Sequence, residues 1–244
     1  MRRCFAIARR EFGSFFATPV AYVYLSIFLV LSSVLTFFVG DFYHRGQADL
    51  LPYFSFHPWL YLLLVPAFAM RTWAEERKAG TIELLMSLPV SVGEAVVGKF
   101  LACWLILALA LMMTTPLWLT VNYLGNPDNG VIVAAYIGSW LMGGAFLAIS
   151  ICVSALTRNQ VVAFIVAVIM CAVFVVSGFE MVLDIFRSWA SNTIIDTVAS
   201  LSFLTHFDTM SRGVLAADDI VYFLLVITVW LYACSIIVDE NRAA

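Results

Sequence analysis

Six long apolar runs, at 20–40, 53–70, 95–121, 131–156, 161–178 and 220–238, constrain this chain more than any single motif does. A helix needs about 20 apolar residues to cross about 30 Å of hydrocarbon, and in lipid every backbone N–H and C=O must find its partner within the protein. The runs approach or exceed that length and lack the alternation of a membrane β-strand. A hydrophobic share of 63% and a mean hydropathy of +0.98 over 244 residues point the same way, since soluble domains hold about half. The sequence predicts an all-α membrane protein, a six-transmembrane-helix bundle forming a single domain over 1–244.

Lysine and arginine orient the bundle. With six crossings both termini share a side, which holds Arg2, Arg3, Arg9, Arg10, Arg71, Arg77, Lys78, Lys99, Arg158 and Arg242, against Arg45, Arg187 and Arg212 on the other. That excess marks the cytoplasmic face. Over 1–19, Phe5, Ala8, Phe12 and Phe15 or Phe16 recur opposite the arginines. This spacing predicts an interfacial helix on the inner leaflet rather than a cleaved signal peptide.

The spans offer little chemistry. With Lys99 placed as an anchor at the inner interface, they are read as free of Lys, Arg, Asp and Glu, the groups on which ion-coupled carriers rely. The run Gly93-Glu94-Ala95-Val96-Val97-Gly98-Lys99-Phe100 imitates a phosphate-binding loop, but Phe100 stands where a magnesium-binding hydroxyl belongs and no strand precedes it. Gly93 and Gly98 are instead expected to form a re-entry turn. An intramembrane enzyme would need a polar catalytic pair at depth, and none is evident. His57 and the His206-Phe207-Asp208 group offer metal ligands without a third, so no metal site is assigned. Cys4, Cys103, Cys152, Cys171 and Cys234 are expected to be packing residues without disulfides. Gly138, Gly143, Gly144 and Ala148 fit either intrachain packing or a dimer face.

One charged passage interrupts the apolar pattern, over 71–92. Glu75, Glu76, Arg77 and Lys78 prolong the second span into water, Gly80 breaks the helix, and Thr81 is placed as the N-cap of a short second helix ending before Pro89. Glu83 falls in its first turn, where the macrodipole favours an acid. Ile82, Leu85 and Met86 share one face. A two-turn helix is unstable alone, so that face docks on membrane-side helices or on a partner.

The stretch 74–90, Ala-Glu-Glu-Arg-Lys-Ala-Gly-Thr-Ile-Glu-Leu-Leu-Met-Ser-Leu-Pro-Val, with Gly98-Lys99-Phe100 after it, resembles the coupling segment of ABC-2 type transporter permeases. More narrowly, it is similar to the gliding-motility-associated permease subfamily. The resemblance implies a permease subunit of the bacterial inner membrane, with both termini cytoplasmic, paired with a second permease subunit as a homodimer or with a related chain. It implies a separate cytoplasmic ABC ATPase that carries ATP and magnesium, no cofactor on this chain, and no nucleic acid. The lipid bilayer and an accessory periplasmic or membrane protein complete the expected partners. Carried onto this sequence, the ATPase contacts fall on Glu75, Glu76, Arg77, Lys78, Thr81, Ile82, Glu83, Leu84, Leu85 and Met86. Transport would proceed by alternating access, mostly as export, and substitution of Lys99 would leave ATP hydrolysis intact. A non-transporting scaffold or passive channel subunit would tolerate the same spans without requiring the charged segment.

Between the fifth and sixth spans, 179–219 carries apolar residues at helical spacing, unusual for a free loop. Two short helices dipping back into the bundle are expected. In the family this region caps the exit of the path, which assigns an external gate to Phe186, Trp189, Phe203 and His206.

Overall fold

The computed structural model describes residues 2–80, 91–187 and 192–240, and the regular structure among them is entirely helical. In chain order the helices are α1 (Arg2–Ala17), α2 (Val20–Val34, continued by a π-helical stretch Leu35–Val39), α3 (Leu51–Ser55), α4 (His57–Ala69), α5 (Arg71–Ala79), α6 (Val92–Met113) and α7 (Thr115–Leu124). There follow α8 (Asn129–Leu156), α9 (Gln160–Val176), α10 (Glu180–Arg187), α11 (Asn192–Ser200), α12 (Phe203–Ser211) and α13 (Ala217–Glu240). Four stretches, Val20–Val39, Val92–Leu124, Asn129–Leu156 and Ala217–Glu240, are long and apolar enough to cross a membrane. The chain is an all-α membrane protein.

Prolines explain why other apolar runs are divided. Pro52 and Pro58 sit in the first turns of α3 and α4, and Pro66 lies inside α4. A proline is tolerated at a helix start, where the missing N–H would have no partner, but removes a hydrogen bond further in. Pro116 likewise opens α7 after the break at Thr114.

The core is built around α8, whose apolar window is 89% buried, against 28% for α2 and 22% for α13. Small residues on α8 make this possible. A Cβ on Gly138 would meet Met210 Cβ at 2.8 Å, one on Gly144 would meet Trp104 Nε1 at 2.8 Å, and one on Gly143 would collide with Leu107 Cδ2. These glycines admit α6 and α12 from within the chain. Intrachain packing, not a dimer face, therefore occupies them.

At the far end of the bundle, the described residues of 179–219 form three short helices, against the two expected. Phe203 on α12 is fully buried, with ring centroids 5.1 Å from Phe146 on α8, 5.1 Å from Phe174 on α9 and 5.8 Å from Phe223 on α13.

Candidate functional site

The charged helix α5 leaves the bundle with its base fixed by α8. No side chain of its own caps it. Instead the Ser154 hydroxyl accepts from the Trp73 and Ala74 N–H groups at 3.1 Å each and donates to the Met70 carbonyl at 2.8 Å, satisfying donors that a helix start leaves open. Arg77 Nη1 donates to the Ala155 carbonyl at 2.6 Å, where the last carbonyls of α8 favour a cation. Gly80 then ends α5 at φ +69°, the left-handed conformation that a residue without Cβ adopts readily.

A second attachment comes from α6. Lys99 Nζ lies 2.6 Å from Glu76 Oε1 and 3.5 Å from Glu11 Oε2 on α1. It also sits 5.2 Å from the centre of the Trp73 ring. The lysine is only 3% exposed, and these partners offset the several kcal/mol that an uncompensated buried ammonium would cost. Burial alone would raise the Glu11 carboxyl, but the Lys99 ammonium and Arg10 hold it below the ordinary carboxylate range. Beside the three charges a cavity of about 280 Å³ is lined by Ser14, Phe15, Arg71 and Thr72 among others.

This geometry corrects four expectations. Lys99 is more than an exposed anchor: two turns into α6 it is buried and bonded to Glu76 and Glu11. Gly98 is helical rather than part of a turn, and a Cβ there would meet Ile7 Cγ2 at 2.8 Å, so its bareness lets α1 approach. On α1 the expected stripe departs only at its start, since Phe12, Phe15 and Phe16 pack against the core while Phe5 does not. Ile7 and Ala8 are buried, whereas Phe5 is 69% exposed. The fourth concerns buried polar groups, where the sequence showed no pair: His57 Nδ1 is 2.6 Å from Ser139 Oγ, itself 2.7 Å from the Tyr61 hydroxyl. All three residues are 0% exposed. Rings of Phe28, Tyr53 and Phe54 flank the imidazole, so the cluster pins α4 to α8 instead of presenting a nucleophile.

The other predicted site residues divide by position. Glu75 pairs with Arg71 at 2.9 Å on the surface of α5, and Lys78 is exposed. Thr81, Ile82, Glu83, Leu84, Leu85 and Met86 lie outside the described residues, as do the side chain of Phe186 and Trp189 entirely. The chain is described again from Ser91, which opens α6 with a capping box: Glu94 N–H donates to Ser91 Oγ at 3.3 Å and Ser91 N–H donates to Glu94 Oε2 at 3.2 Å. At the opposite end His206 Nδ1 is 2.6 Å from Asp219 Oδ1, Nε2 is 2.9 Å from the Ser200 carbonyl, and the ring stacks on Tyr222 at 3.9 Å. Asp208 instead pairs with Arg212 at 2.8 Å, which separates the two residues the sequence had grouped. Ser154 and Ser139 were missed altogether. Nothing local marks them, because each acts on a helix about 80 positions away.

A polar, charged helix held on an apolar bundle at one end is the arrangement a membrane subunit needs to meet a soluble partner. The family profile of ABC-2 family transporter proteins matches residues 60–238, a stretch that includes α5, the Ser154 cap and Lys99. The chain belongs to the ABC-2 transporter family. No curated protein matches it. As an ABC-2 permease it is a membrane subunit of an ABC transporter, a class that associates with an ABC ATPase and with lipid.

Proposed function

We propose that this ABC-2 permease is one half of an exporter with six crossings and cytoplasmic termini in a bacterial inner membrane, paired with a second permease subunit. The four long stretches supply four crossings, and α3–α4 with α9 supply the shorter two. A separate ATPase holds ATP and magnesium and receives residues 81–90, with Glu83 and the Ile82, Leu85 and Met86 face as the main contacts. Glu76 acts from behind that contact, through Lys99, while Glu75, Arg77, Lys78, Thr81 and Leu84 border it. Closure of the ATPase swings α5 about its Ser154 attachment and opens the far end, where Phe203 and His206, with Phe186 and Trp189, form the gate. The narrower likeness to gliding-motility-associated permeases rests on 74–90 and Gly98-Lys99-Phe100.

One observation carries the reading: α5 is charged, capped by Gly80, and fixed at its base to the most buried helix of the bundle. A load applied beyond Gly80 therefore reaches α8 directly. The test is recovery of an ATPase with the tagged chain from native membranes. Loss of one desolvated interface charge costs about 2 to 5 kcal/mol, so Glu83→Ala should release the ATPase or uncouple its hydrolysis, while Glu94→Ala, which opens the capping box of α6, should retain it. Recovery of a folded chain with no ATPase would sink the proposal.

A further inference from the structure

Charges of alternating sign form a line from the surface of α1 to the base of α5. Arg10 Nη2 donates to Glu11 Oε1 at 2.8 Å, Glu11 Oε2 is 3.5 Å from Lys99 Nζ, and Lys99 Nζ is 2.6 Å from Glu76 Oε1. Side-chain exposure falls from 56% at Arg10 to 15% at Glu11 and 3% at Lys99. The line thus has an open end at Arg10. There, a shallow depression of about 500 Å³ runs along α1, lined by Phe5, Arg9, Arg10 and Gly13. Phe5 projects beside it, 69% exposed.

Two guanidiniums beside an exposed aromatic ring suit one kind of ligand. Guanidinium forks take phosphate oxygens in pairs, and an exposed ring on an amphipathic helix settles at the boundary of headgroup and acyl chain. We infer that the phosphate of an anionic inner-leaflet lipid binds Arg9 and Arg10 and thereby loosens α5. The inference rests on the reading that α1 lies on that leaflet.

The sign follows from competition for Glu11. With Arg10 in place, Glu11 shares its charge between two cations, and Lys99 stays closer to Glu76. A lipid phosphate draws Arg10 away, and Glu11 is left with Lys99 alone. Attraction between opposite charges grows as they approach, so Lys99 shifts toward Glu11 and its bond to Glu76 weakens. The base of α5 then keeps Ser154 and Arg77 but loses part of its ionic attachment.

Amide hydrogen exchange over 71–80 tests this on the chain alone, in phosphatidylcholine vesicles with and without about one-third phosphatidylglycerol. The anionic lipid should speed exchange there about fivefold, the equivalent of the about 1 kcal/mol that one basic residue gains near such a surface. Arg10→Gln should exchange fast in both vesicles, Glu11→Gln slowly in both, and Arg10→Lys should keep most of the response. Unchanged protection across α8 shows that each variant is folded. A wild-type lipid response in Arg10→Gln or in Glu11→Gln overturns the inference. So does acceleration by soluble glycerol phosphate in pure phosphatidylcholine, which would place the ligand in solution rather than in the membrane. Because the readout needs no ATPase, failure to recover an ATPase refutes the proposed function without touching this result.

Discussion

At the α5 end of the bundle, three helices meet through Lys99, Glu11 and Glu76 beside a cavity of about 280 Å³, whereas at the α12 end Phe203 closes the bundle with rings from α8, α9 and α13. The two kinds of contact respond differently to movement. Coulomb attraction falls slowly, as the inverse of distance. Dispersion contact between packed rings loses a quarter to a half of its strength when a gap of about 0.5–1 Å opens. The ionic end can therefore yield by degrees, with Lys99 passing from one carboxylate to another, while the aromatic end stays shut until its packing fails as a unit. For a permease driven from one side, that contrast suits a graded input at α5 and an abrupt opening at α12.

The sharpest way to break the comparison is to remove the shared cation. Lys99→Ala would remove the cation that Glu76 and Glu11 share, and breaking a buried pair in this way costs about 3–5 kcal/mol. Thermal unfolding of the purified chain should register that loss, and ATPase recovery should fall with it. Lys99→Met combined with Glu76→Gln and Glu11→Gln should regain most of the stability, because the buried charges are removed together and the remaining Arg10 is exposed. Wild-type stability in Lys99→Ala would restore the simpler reading of Lys99 as an interfacial anchor.

At the other end, Phe203→Ala should cost about 3 kcal/mol through lost burial and the cavity left behind. Phe203→Leu should cost less, since it fills part of the volume. The comparison predicts a further difference in salt dependence. Unfolding of Lys99→Ala relative to wild type should vary with ionic strength, and that of Phe203→Ala should not. Equal salt dependence at both positions would mean that the two ends are not closed by different forces.

How much of this was legible depends on the range over which the residues act. The apolar runs and the Gly80 break were readable because helix length and a left-handed cap are local properties. The divisions before Pro58 and Pro116 could have been anticipated from the same residues. The Lys99 junction was not readable, since an ammonium near a span's end looks like an anchor unless one knows that Gly98 lets α1 bring Glu11 alongside. Ser154 is quieter still: a serine among small residues of α8 gives no sign that it caps a helix elsewhere in the chain. The His57–Ser139 bond was hidden for the same reason, as its partners lie on α4 and α8. Sequence periodicity locates helices, but not which faces meet.

A smaller effect concerns acidity at the ionic end. Burial opposes ionisation of Glu11, yet Lys99 and Arg10 hold its carboxyl below the ordinary range. Its folded pKa is thus lower than its unfolded one, so its charged form contributes stability above the ordinary carboxylate range, and the contribution is lost as pH falls through the lowered value. Stability measured against pH should show wild type and Glu11→Gln converging on acidification. A gap that stays constant down to that range would assign the role of Glu11 to packing rather than charge.

The smallest expected effect separates holding α5 from offering it to a partner. Arg71 Nε donates to Glu75 at 2.9 Å and Nη2 at 3.2 Å, but the side chains are 35% and 49% exposed. Water screens such a pair, and with the cation N-terminal to the acid the spacing is the less favourable order on a helix. Glu75→Ala should therefore change unfolding by no more than about 0.5 kcal/mol. Any effect on ATPase recovery must then come from contact with the partner and not from loss of α5. Wild-type stability with reduced recovery would extend the docking surface back from 81–90 onto α5, whereas wild-type values in both measurements would confine docking to the residues beyond Gly80. A marked loss of stability would show that α5 depends on its own surface pairs, and the contrast between a buried ionic joint and a solvated outer face of the same helix would fail.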